Sequence, residues 1–223
     1  MRTRHTGRRW VRLRRIGFWI LVTVPIAAVA GWLALRYIPS WYRPVVLSSE
    51  ELVRVKGDIA GRADWISHRM VAERSFELIL HDYTVNEWLA ALPRAWPDAW
   101  RIVPPELTDP VIRFEPEVII LAAHGAKDGW EAILSVRVEV AVSDDGESID
   151  VGVTSLRGGV VPVPRSVIDS LLESLSDSDS WSDPDGHRLR VPNNFDWPNG
   201  DRRFRIESIR IEEGAVRIVV EPL

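Results

Sequence analysis

Few residues of this 223-residue chain stand in a pattern that chemistry uses. Cysteine is absent, which excludes thiolate nucleophiles, disulfides, zinc fingers and iron–sulfur ligation. There is no Gly-x-Ser-x-Gly elbow, no His-Glu-x-x-His, no phosphate-binding glycine loop and no dinucleotide fingerprint. His81-Asp82 has the composition of half a catalytic pair, but it also suits the turn between a strand and a helix, and that plainer reading is preferred. Asp177, Asp179, Asp183 and Asp185-Gly186 form a calcium-like run. The EF-hand pattern needs an oxygen ligand where Trp181 stands and a later Glu that is missing, so a solvated acidic loop is expected. The chain is therefore read as non-catalytic, with no cofactor and no metal.

What remains is apolar surface and the elements that carry it. Trp130, Ala132, Leu134, Val136, Val138, Val140 and Val142 occupy every even position over 13 residues. Period two predicts a half-buried strand about 40 Å long. Asp144-Asp145-Gly146 turns it into a return strand at Ile149, Val151 and Val153. Val111–Phe114 with Val118–Ala123, and Phe204–Ile211 with Val216–Val220, form two further hairpins, and Phe76–Leu80 is a short strand.

Three helices are expected beside them. Ser48-Ser49-Glu50-Glu51 caps a helix over about 49–73, with Leu52, Val55, Ile59, Ala63, Ile66 and Met70 on one stripe. Thr84-Val85-Asn86-Glu87 opens a second that Pro93 ends, and Ile168, Leu171, Leu172 and Leu175 mark a third over 166–175. Trp96 and Trp100 lie in an irregular stretch, 93–108, and imply that this loop packs down onto the domain. Residues 176–200 read as a polar surface loop.

Charge is segregated. Residues 1–15 carry seven Arg and no acid, which leaves 21 basic and 32 acidic groups in the rest, a net of −11. Ile16 to Leu35 is free of charge for 20 residues, about 30 Å of helix, the hydrocarbon thickness of a bilayer. The sequence thus predicts a basic cytoplasmic arm (1–15), a transmembrane helix (16–38), a linker (39–47) and an extracytoplasmic α+β domain (48–223), N-terminus inside. Ala28-Val29-Ala30 offers the alternative of a cleaved export signal. The fold class expected is α+β: that helix, then one curved antiparallel sheet of hairpins packed on about three helices. An acidic body behind a spanning helix excludes nucleic acid as partner.

The motif order supplies a resemblance. The capped helix with Asn86 (Thr84-Val85-Asn86-Glu87-Trp88-Leu89), the long hairpins, Arg157-Gly158-Gly159-Val160-Val161-Pro162-Val163-Pro164 before an amphipathic helix, and the last hairpin turning at Glu213-Gly214 resemble YpmS-like and LmeA-like bacterial envelope proteins. The resemblance covers about residues 74–220 and implies a tubular lipid-binding-like fold and a lipid-related envelope role. It transfers no catalytic residue.

The function expected is binding of lipid or another apolar envelope molecule, without chemistry, by a membrane-anchored domain. The candidate ligand-contacting residues are Trp88, Trp130, Leu134, Val136 and Val138, with membrane lipid as partner. The alternative is an interaction or scaffold protein that docks onto another envelope protein of a membrane complex through its sheet edge or acidic surface.

Overall fold

The computed structural model describes residues 7–72, 74–101, 103–127, 129–166, 188–197 and 202–223. In chain order the elements are α1 (Gly7–Leu35), α2 (Ser49–Val71), β1 (Phe76–His81), α3 (Asp82–Ala95), the single turn α4 (Pro97–Trp100), β2 (Leu107–Glu115), β3 (Val118–Lys127), β4 (Trp130–Val142), β5 (Ser148–Gly158), β6 (Val161–Pro162), β7 (Arg188–Pro192), β8 (Phe195–Asp196), β9 (Arg203–Glu212) and β10 (Ala215–Pro222). All but the first residue of the expected helix over 166–175, and the calcium-like run at 177–186, lie outside the described residues.

The expected fold class is corrected in two respects. Strand outweighs helix, 43% against 33%, and the hairpins form two antiparallel sheets, not one. Sheet A has the order β1-β10-β9-β8, and sheet B the order β2-β3-β4-β5-β6, with β7 also on β5. The second correction concerns the anchor. Among the described residues no helix is long and apolar enough to cross a membrane, which overturns the transmembrane helix and the single-pass membrane localisation. α1 opens with Arg8, Arg9, Arg12, Arg14 and Arg15.

The end of α1 is docked on sheet B. Val160 donates its N–H to the Ala34 carbonyl, 3.1 Å, which satisfies one of the orphan acceptors of a helix C-terminus. Gly159 makes this approach possible. Its φ is +59°, and a Cβ there would overlap the Ala34 carbonyl. The chain then runs from Arg36 to Ser48 across sheet B. Tyr42 is buried there against Val111, Ala122 and Ile133, while Leu47 is buried with Val55 of α2 and Ala91 of α3.

α2 begins as its sequence predicts, with the reciprocal capping box of Ser48 and Glu51. α3 does not. It starts at Asp82, three residues before Val85, because β1 feeds directly into it with His81 as N-cap, and Pro93 lies inside its last turn. Asn86 is thereby freed for another task. Its Nδ2 donates to the Ile112 carbonyl at 2.8 Å and its Oδ1 accepts the Ile112 N–H at 2.7 Å, so it closes the open edge of β2 as a neighbouring strand would. Residues 188–197, expected as part of a polar surface loop, instead hold two short strands: β7 pairs with β5 and buries Leu189, and β8 pairs with β9.

β4 and β5 follow the expected hairpin, but the burial of β4 is not a clean alternation. Ala132, Ile133 and Ser135 are buried, Val136 and Val138 half-buried, and Trp130 and Leu134 exposed. The reason is that each face of the strand is covered over only part of its length. Segment 36–48 covers the odd-numbered face near Ile133. On the other face the cluster of Phe114 and Ile119 with Ile211 and Val216 joins the two sheets.

Asn193 ties the sheets together. It is buried, donates from Nδ2 to the carbonyls of Gly146 (3.0 Å) and Ile206 (2.7 Å), and accepts the Ile206 N–H at 2.8 Å. Asn193→Ala leaves those backbone groups unpaired and is expected to cost about 2–4 kcal/mol in urea melts. Asn193→Asp, which cannot donate, should be at least as harmful, whereas exposed Asn194→Ala should cost about 0.5 kcal/mol or less. Equal tolerance at both positions would refute the tie.

Candidate functional site

α3 carries Leu89, Ala90, Pro93 and Arg94 on the side that faces segment 44–47. The turn α4 adds Trp100, and β2 begins opposite them. Together they wall an open groove of about 430 Å³, with Val45, Leu47 and Leu107 as further apolar lining. The sequence suggested only that Trp100 packs down; the groove needs segment 44–47, more than forty residues upstream in the chain, to supply the facing wall.

Two polar contacts hold the groove open at a fixed width. Arg94, in the last turn of α3, donates from Nη2 to the Leu47 carbonyl at 2.9 Å. Tyr42 donates its hydroxyl to the Asp109 carbonyl at 2.6 Å. Asp109 has a φ of +51°, which Asp tolerates better than most residues, and the β2–β3 register shifts between Thr108 and Val111. This bulge, with Pro110 lacking an N–H, bends the start of β2 away from the sheet and makes the groove's far wall.

The five residues singled out by sequence are dispersed. Trp88 lies between α2 and α3, packed with Leu47, Val55 and Ala91; its indole N–H donates to the Asp58 carboxylate at 3.2 Å, and the Arg62 guanidinium sits 5.5 Å over its ring. Leu134, Val136 and Val138 share the opposite face of β4 from Ile133, and Trp130 is exposed at the strand's start. None of the five lines the groove. Those that do, Arg94 and Asp109 among them, carry no motif by which spacing alone could find them.

The chemical candidates do not assemble. The His81 ring stacks on Tyr83, 5.3 Å between centroids, and the Asp82 carboxylate accepts the Tyr83 N–H at 2.7 Å. Among the described residues no group of three or more His, Asp or Glu could hold a metal ion. No protein-family model, no curated protein and no solved structure matches this chain.

The Tyr42 hydroxyl is pushed up to about 12, first by burial and then by the Asp109 carboxylate. The folded state thus prefers the neutral phenol. That preference is fully present below pH 10, the unfolded value, and is lost as pH rises toward 12. Tyr42→Phe is expected to lower stability by about 1 kcal/mol at neutral pH through the lost hydrogen bond, and to flatten the fall in melting temperature between about pH 10 and pH 12. An unchanged alkaline profile in the variant would show that another group governs it.

Proposed function

We propose that this domain is a non-catalytic binding module for an elongated apolar or amphiphilic molecule, of which a lipid acyl chain is the type, held in the groove between segment 44–47, α3, α4 and β2. The observation that carries this reading is the groove itself: about 430 Å³, walled mainly by aliphatic and aromatic side chains, with Arg94, Thr108 and Asp109 as its polar residues. That volume falls within the roughly 300–1,000 Å³ of small-molecule sites. The motif order shared with YpmS-like and LmeA-like proteins supports the same reading. Beyond Arg36 the chain has 20 basic and 32 acidic residues, so attraction to an anionic surface by net charge is not the driving force. Burial of methylenes is, at about 0.8 kcal/mol each.

Titration with saturated fatty acids of increasing length, followed by Trp fluorescence, should give saturable binding that tightens with chain length. Full burial gives about fourfold per methylene. Trp100→Phe should remove most of the signal, and Ala90→Phe, which narrows the groove, should weaken binding while the circular dichroism spectrum stays unchanged. A flat response at every length would leave docking through a sheet edge or the acidic surface as the better reading.

A further inference from the structure

A second hollow lies on the same side of sheet B, at the other end of segment 36–48. It measures about 270 Å³ and is bounded by Tyr37, Ser40 and Trp41 on one side and by Glu115, Ser135, Arg137 and Arg157 of three strands on the other. Its chemistry is the reverse of the groove's. Glu115 is its one acid, and that carboxylate is already shared: Arg137 reaches it at 2.6 Å and Arg113 at 3.7 Å. Arg113 is also held by Glu213 at 3.3 Å.

Arg157 has no such partner. No ion pair or hydrogen bond engages its side chain among the described residues. The register places Arg157 opposite Ser135 and Arg137 opposite Ser155, so the two arginines are diagonal neighbours on adjacent strands, with side chains about 7–8 Å apart at their roots. Ser135 is 8% exposed and lines the hollow, and its hydroxyl has no hydrogen-bond partner among the described residues.

Guanidinium groups are donors only, and hydroxyls can donate. Two arginines, one of them uncommitted, line the hollow together with Ser135, Tyr37 and Ser40, so guanidinium and hydroxyl donors stand on several of its walls. That suits a tetrahedral anion better than a planar one. The local surplus of positive charge is notable because the body as a whole is acidic. We propose that this hollow binds a phosphate group, with Arg157 and Arg137 engaging its oxygens and Ser135 donating to a third. A free phosphate monoester and the headgroup of a phospholipid offer the same chemistry.

Calorimetric titration of the full chain with glycerol 3-phosphate and, separately, with monomeric dihexanoyl phosphatidic acid tests the site and its source. Saturable binding that weakens about tenfold or more in Arg157→Gln and several-fold in Ser135→Ala supports it, as does a fall in affinity with added salt. Equal binding of both ligands assigns a free phosphate monoester, and binding of the phosphatidic acid alone assigns a headgroup. Arg157 is exposed and unpaired, so its variant should fold as the parent does. Sensitivity to Arg157→Gln separates this site from the apolar groove, which Ala90→Phe reports. No saturable binding of either ligand, or equal affinity in the parent and Arg157→Gln, would overturn the proposal and leave the groove untouched.

Discussion

Tyr42 is the peg on which both hollows depend. Its ring is buried against Val111, Ala122 and Ile133, one residue from each of three adjacent strands, and its hydroxyl is fixed to the Asp109 carbonyl. Five residues before it, Tyr37 begins one wall of the cationic hollow, and two residues after it, Pro44 begins one wall of the apolar groove. A connection without regular structure would otherwise be free to move over the sheet. Anchored at one buried aromatic with a satisfied polar tip, it becomes a fixed wall on both sides, because burial of an aromatic supplies area and the phenol's hydrogen bond supplies position.

The edges of the two sheets raise a problem of unpaired backbone, and asparagine answers it twice. Asn86 offers Ile112 the donor and acceptor that a neighbouring strand would, so β2 ends the sheet without exposing that pair. Asn193 does the same for Ile206 and reaches the Gly146 carbonyl as well, which joins the β4–β5 turn to β9. An amide side chain is suited to this because it carries the same donor and acceptor as a peptide group. Neither an acid nor an aliphatic residue can replace it without leaving a backbone group unpaired. At Gly159 the same economy of space is met by a missing side chain, which lets the end of α1 approach the β5–β6 turn.

The two hollows divide apolar and cationic character between opposite ends of one segment. In the groove, Arg94 is occupied in holding the Leu47 carbonyl and the remaining walls are largely apolar. In the other hollow the arginines outnumber the acid, and Ser135 lies buried among them. A chain so acidic beyond its N-terminal arm can concentrate positive charge only where tertiary structure brings separate strands together, and β2, β4 and β5 do so here.

Local patterns in the sequence determined the hairpins. Period-two apolar residues with Asp-Asp-Gly or Glu-Glu-Gly turns specify antiparallel neighbours through contacts only a few residues apart, and the capping box at Ser48 specifies the start of α2 in the same way. The sequence also determined the charge segregation and the absence of cysteine chemistry. Tertiary structure decided the rest. The run of 20 uncharged residues before Arg36 reads as a span by charge alone, but among the described residues no helix is long and apolar enough to cross a membrane, and the end of α1 is tied to the turn at Val160. Along β4, alternation tells which residues share a face, not how far each face is covered. The groove was illegible because Val45, Arg94, Trp100 and Asp109 come from four parts of the chain with no spacing in common. Only the path of segment 36–48 over the sheet, set by the burial of Tyr42, brings them to one place.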